Sequence, residues 1–207
     1  MTATSTFGTL RSAIMLFLDR ANDPLVTPLV PTWVGLAEES IAEQVRARCM
    51  VQRATQPVTT AYVPLPCDWL AFLDIRDESG RTLTFLSRLD DPVPVAGPVS
   101  AYRLVGKEIE ILPHVDPATT TPPSIEVAYF AMPPALTADT DTNALLQEHT
   151  SIYLYGALVH AAVYLHDPDA AKIYDATFQQ AVAAANGWHE ASRFSGGRLN
   201  ARMRGFG

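Results

Sequence analysis

Asp139-Thr140-Asp141-Thr142-Asn143 opens with the Asp-x-Asp-x-Asn spacing that presents oxygen ligands to calcium. The rest of such a loop is missing, because Ala144 stands where glycine is needed and Thr150 where a bidentate carboxylate is needed. The stretch therefore reads as a solvated, helix-capping turn, the ordinary use of short Asp and Asn side chains. His149, His160 and His166 lie close in sequence, but none are four apart and no His-Glu-x-x-His occurs. His160 sits in an apolar run and reads as a hydrogen-bonded structural histidine. Cys49 and Cys67 lack ligand spacing and read as two free, reduced thiols. No phosphate-binding glycine loop and no Gly-x-Ser-x-Gly elbow is present. Asp90-Asp91 adjoins Pro92 in a loop, and Ser195-Gly196-Gly197 reads as a flexible joint. No catalytic residue, metal ligand or cofactor is expected, and the chain is not expected to be an enzyme.

With chemistry set aside, the elements themselves carry the information. Phe7, Leu10, Ile14 and Phe17 follow helical spacing, with Ser5 or Thr6 available as a cap. Pro24, Pro28 and Pro31 interrupt the helix, since proline lacks the amide hydrogen that a helix interior needs. Thr32 then caps a second helix over "WVGLAEESIAEQVRARCMVQR", whose stripe is Val34, Ala37, Ile41 and Val45. Its glutamates come early and its arginines late, the order the helix dipole favours.

Residues 54–136 hold twelve of the sixteen prolines, and their apolar residues come in short runs. Strands are expected at residues 58–63, 70–75, 82–86, 101–105, 108–112 and 125–131. Gly106-Lys107 between the fourth and fifth runs suits a II′ hairpin turn. Helix returns at "NALLQEH", capped by Asp141 or Thr142, and continues through "IYLYGALVHAAVYL". The last helix has Asp167 as N-cap and Pro168 at its first position, and Asn186-Gly187 is expected to end it. Tyr174, Phe178, Ala181, Val182 and Ala185 line one face. The expected fold class is α+β: mainly a helical bundle of about four main helices (residues 5–53 and 141–188) with an inserted small antiparallel β module (54–136). Residues 1–188 form a single domain in this reading, and 189–207 a flexible tail.

The 207 residues are 48 % hydrophobic and 18 % charged, so a sizeable core is possible and some apolar surface awaits a partner. The run Ile152–Leu165 has no charge, yet it is too short for the roughly 20 residues of a membrane span. No signal peptide is evident, so a soluble, intracellular protein is expected. The net charge of −7 is uneven: residues 189–207 carry +3 and the remainder −10. An acidic body does not attract nucleic-acid phosphate, whereas the basic tail can.

Two stretches are similar to tailed-bacteriophage head-to-tail adaptor (connector) proteins: "VPLPCDWLAFLDIRDESGRTLTFLS" and "YFAMPPALTADTDTNALLQEHTSIYLYGALVHAAVYLHDPDAAKIYDATFQQAV". The second resembles the family's order of Pro-Pro-x-Leu, Thr-Asn-x-Leu-Leu, Tyr-Leu-Tyr-Gly-Ala-Leu and a short-turn helical hairpin. Together they cover roughly residues 57–188. The resemblance implies a non-enzymatic virion protein of the head–tail junction, assembled in the bacterial host cytoplasm. It implies a ring of about twelve copies beneath the portal protein, closed by heterologous contacts. Such a ring extends the DNA channel, passes the genome without specific binding, and presents a surface for the tail or nozzle protein. Ile152, Tyr153, Tyr155, Leu158, Val159 and Val163 cannot all face one intramolecular core, so some are expected at the subunit interface. Arg193, Phe194, Arg198, Leu199, Arg202, Met203, Arg204 and Phe206 would dock on the portal, or alternatively on nucleic acid. Other readings are a head-completion or tail-terminator ring protein and, from another class, a soluble intracellular binding module.

Overall fold

A computed structural model describes residues 5–21, 23–88, 97–114 and 122–194, with side chains through residue 187. The expected Asp90-Asp91 loop and the Ser195–Gly197 joint lie outside these residues. Two compact units divide the chain: Met50–Pro133, and a helical unit made of the flanking segments.

In the helical unit, α1 (Phe7–Phe17) is capped by Thr6, whose hydroxyl and that of Thr9 exchange bonds with each other's amides. A 3₁₀ turn (Thr27–Leu29) leads into α2 (Val30–Gln44). This helix starts two residues ahead of the expected Thr32 cap. Pro31 fits its first turn, where a missing amide hydrogen costs nothing. It also stops earlier than expected, at Gln44, because Asn186 takes over the helix end: Asn186 Nδ2 donates to the Gln44 carbonyl (2.9 Å) and Oδ1 accepts from the Arg46 amide (2.7 Å). Val34, Ala37, Ile41 and Val45 are nonetheless all buried, as the stripe required.

Asn143, rather than Asp141 or Thr142, caps α3 (Ala144–Glu148), and α4 (Thr150–Tyr164) follows after a break at His149. The last helix, α5 (Pro168–Phe194), begins as expected, with Asp167 Oδ1 accepting from the Ala170 amide (3.0 Å). It does not end at Asn186-Gly187, since Asn186 is occupied with α2 and Gly187 takes no positive φ.

Residues 50–133 fold as β1 (Val51–Pro57), β2 (Tyr62–Pro64), β3 (Trp69–Asp77), β4 (Thr84–Phe85), β5 (Ala101–Val105), β6 (Glu108–Leu112) and β7 (Ser124–Ala131). One sheet has the order β1-β7-β3, the other β2-β6-β5-β4. Pairing is antiparallel except between β4 and β5, which run parallel. The β5–β6 hairpin matches its expected bounds, with Gly106 at φ 62° and Lys107 at negative φ, as a II′ turn requires. Both sheets feed one core: Ile75, Ile125 and Val127 from the first, Val63, Ile109 and Ile111 from the second.

That core corrects the expected fold class. The fold is α+β, but not mainly a four-helix bundle: the described residues form five α-helices and two sheets, 43 % helical and 24 % strand. The β unit is larger than an accessory module because it starts earlier. Val51–Arg53, expected at the end of a helix, instead pair with Phe130, Tyr129 and Ala128 of β7.

Candidate functional site

The apolar helix α4 is the element that the sequence singles out. It packs on α2, α5 and α1. Gly156 makes the closest approach: a Cβ there would stand 3.0 Å from Ala37 Cβ and 3.3 Å from the Phe178 ring. Ile152, Tyr153, Ala157, Leu158, Ala161 and Ala162 are buried within this unit. Of the six residues expected at a subunit interface, then, Ile152, Tyr153 and Leu158 lie inside the helical unit. Tyr155 and Val159 are half-buried, and Val163 is 63 % exposed.

Tyr153 is the centre of a polar knot. The Asn143 side chain donates from Nδ2 to the Tyr153 hydroxyl (2.9 Å) and to the Pro134 carbonyl (2.9 Å), while its Oδ1 accepts from the Leu146 amide (2.8 Å). Glu38 of α2 accepts from the Leu136 amide (3.1 Å). Burial pushes the Glu38 carboxyl above its usual range and the Tyr153 phenol above its own. The words Pro-Pro-x-Leu, Thr-Asn-x-Leu-Leu and Tyr-Leu-Tyr-Gly-Ala-Leu thus place Leu136, Asn143, Leu145, Leu146, Tyr153, Gly156 and Leu158 in the packed interior.

The Asp-x-Asp-x-Asn stretch spends its oxygens locally. Asp141 accepts from the Ala138 amide (2.7 Å) and from the amide and hydroxyl of Thr137 (both 2.9 Å), which holds its carboxyl below the usual range. Asp139 pairs with Arg11 (2.9 Å). In the β unit, a cleft of about 540 Å³ is lined by Asp77, Glu78, Arg81, Val99, His114 and Ser124, among others. Its carboxylates are engaged too: Glu78 accepts from the Ser124 amide, and Asp77 from the amides of Ser79 and Arg81. His160, half-buried on α4, has its pKa lowered by burial. Among the described residues, one set of side chains converges as metal ligands would: Cys49, Glu148 and His149.

What remains unspent is apolar surface on the helical unit. Leu16 is 70 % exposed, Leu25 78 % and Ile173 65 %, and Phe17 and Tyr164 are about half exposed. Phe17, Tyr155 and Tyr174 form a run of rings, each 6.3 Å from the next, across α1, α4 and α5. Sequence reasoning missed Leu16, Leu25, Tyr164 and Ile173. The signal was present in "IMLFL", whose five apolar residues in a row cannot all turn inward from one helix. The expected docking residues lie where no side chain is described: Arg193 and Phe194 close α5, and Arg198, Leu199, Arg202, Met203, Arg204 and Phe206 fall beyond the described residues.

The family model of the SU10 adaptor protein matches residues 5–202, nearly the whole chain and both units. The chain belongs to the SU10 adaptor protein family. The resemblance to phage head-to-tail adaptors is thereby borne out. A search of the curated proteins returns no match. An adaptor works through surfaces that meet other proteins, and large apolar side chains of α1, α4 and α5 stand exposed on the helical unit. No described helix is long and apolar enough to cross a membrane.

Proposed function

We propose that the protein is a structural virion component that assembles as a closed ring beneath the portal, extends the DNA channel, and offers the tail its attachment surface. The observation that carries this reading is the set of large apolar side chains standing in solvent on the helical unit, Leu16, Leu25, Val163 and Ile173 above all. A soluble chain with 18 % charge gains by covering them, and a heterologous ring lets each copy do so with its neighbour. Tyr155, Val159 and Val163 are the members of the expected interface set that solvent reaches. Ile152, Tyr153 and Leu158 would act behind them, holding α4 in place.

The charge distribution fits this role. An acidic body carrying −10 weakens phosphate contacts along a channel wall, so DNA slides rather than sticks. The basic segment, with Arg193, Arg198, Arg202 and Arg204 among Phe194, Leu199, Met203 and Phe206, suits an acidic, grooved portal surface. Four arginines give only weak and unspecific affinity for DNA.

Removing residues 195–207, beyond the end of α5, tests the arm. The truncated protein should keep its circular dichroism and melting temperature yet lose co-sedimentation with portal rings. Undiminished portal binding would sink the docking role of Arg198, Leu199, Arg202, Met203, Arg204 and Phe206.

A further inference from the structure

We propose that Cys49, Glu148 and His149 form a three-ligand site for a zinc-class divalent cation, with water as the fourth ligand. The sulfur, one carboxylate oxygen and one ring nitrogen lie within 4.8 Å of one another, although about a hundred residues separate the first from the other two. The local fold brings them together. Cys49 sits in the 3₁₀ turn Arg48–Met50, after α2 has ended. Glu148 is the last residue of α3, and His149 occupies the break before α4 with φ −134° and ψ 52°, outside the helical region. An unbroken helix would turn these two neighbours about 100° apart; the break lets both side chains reach the same sulfur.

The chemistry selects the ion. A thiolate, an imidazole and a single carboxylate suit zinc, whereas magnesium and calcium need six or more oxygens. At metal–ligand distances of about 2.0–2.3 Å, tetrahedral donors stand about 3.3–3.8 Å apart, so closure asks for side-chain rotations of about 1 Å. Glu148 is exposed and free to supply them, while Cys49 and His149 are half-buried and form the fixed side. On binding, the S–H bond breaks, its proton leaves to solvent, and sulfur bonds the metal. The bound ion would tie the segment after α2 to the α3–α4 junction, stapling the helical unit without any catalytic role.

This inference stands apart from the adaptor reading and is tested on the full chain. Metal-free protein is titrated with cobalt(II), followed by absorption, and with zinc, followed by calorimetry. One equivalent should bind, with a thiolate-to-cobalt charge-transfer band. Cys67→Ser should leave the band unchanged, Cys49→Ser should abolish it, and His149→Gln should weaken zinc binding by about tenfold or more. Absence of the band, or its survival in Cys49→Ser, overturns the proposal. A second readout needs no variant. Zinc should slow alkylation of Cys49 but not of exposed Cys67, and equal rates with and without zinc would contradict a site at Cys49.

Discussion

The two ends of α4 have nearly the same composition and opposite fates. Its first half, Ile152 to Leu158, is locked between α2 and α5, with Tyr153 held by Asn143 and Gly156 pressed to Ala37. Its last turn leaves Val163 in solvent and Tyr164 half exposed beside the Trp33 ring of α2. Hydropathy is blind to this difference, because an apolar residue reads alike whether its own subunit or a neighbour covers it. The difference is one of face rather than of partner alone: in the last turns Ala161 and Ala162 remain buried and the Trp33 ring of α2 lies 5.8 Å from Tyr164, while Val163 turns to solvent. Stability should therefore reside in one end of the helix and assembly in the other.

Substitutions along α4 can break that division. Tyr153→Ala should cost most, about 3–5 kcal/mol, since it opens a large cavity and leaves the Asn143 amide short of an acceptor. Urea denaturation would measure it; a loss below about 1 kcal/mol would show the first half to be loosely packed. Gly156→Val should cost about 1–3 kcal/mol, because its methyl groups enter space already held by Ala37 and Phe178. An unchanged melting temperature would mean that α4 can shift away from α2 at no cost.

Glu38 sharpens the comparison through pH. Its folded pKa is raised above the unfolded value of 4.5, so the folded state binds the proton more tightly. Stability from this group is then greatest below pH 4.5 and declines as pH climbs through the raised folded value. Glu38→Gln keeps the acceptor for Leu136 and removes the titration. It should be more stable than the parent at neutral pH, with the advantage vanishing in mild acid. Parallel pH profiles of the two proteins would show that Glu38 is not desolvated. Val163→Asp should have the smallest effect on folding, within about 0.5 kcal/mol, since its side chain is already in water.

Much of the fold was legible where the determining partners are local. The β5–β6 hairpin is specified by two alternating runs and Gly106, and the start of α5 by Asp167 and Pro168. Elements set by distant partners were not. The polar residues of β1 read as the basic end of a helix until β7, some seventy residues later, pairs with them. Asn186 reads as a helix stop until α2 claims both ends of its amide. The candidate surface was half legible for the same reason. The sequence marked α4 as too apolar for one face, but the packing of α2 and α5 decided which residues stay outside. Cys49 carried no ligand spacing, because its companions Glu148 and His149 come from a distant turn.

The central claim is that the exposed end of α4 serves assembly on a portal. Light scattering of the parent and of Val163→Asp, each alone and mixed with portal rings of the same virion, tests it most directly. The account predicts that the parent joins the portal as a multi-copy ring, and that Val163→Asp stays folded but fails to complete it. A parent that ignores the portal, or a Val163→Asp protein that forms the same ring, would contradict the account.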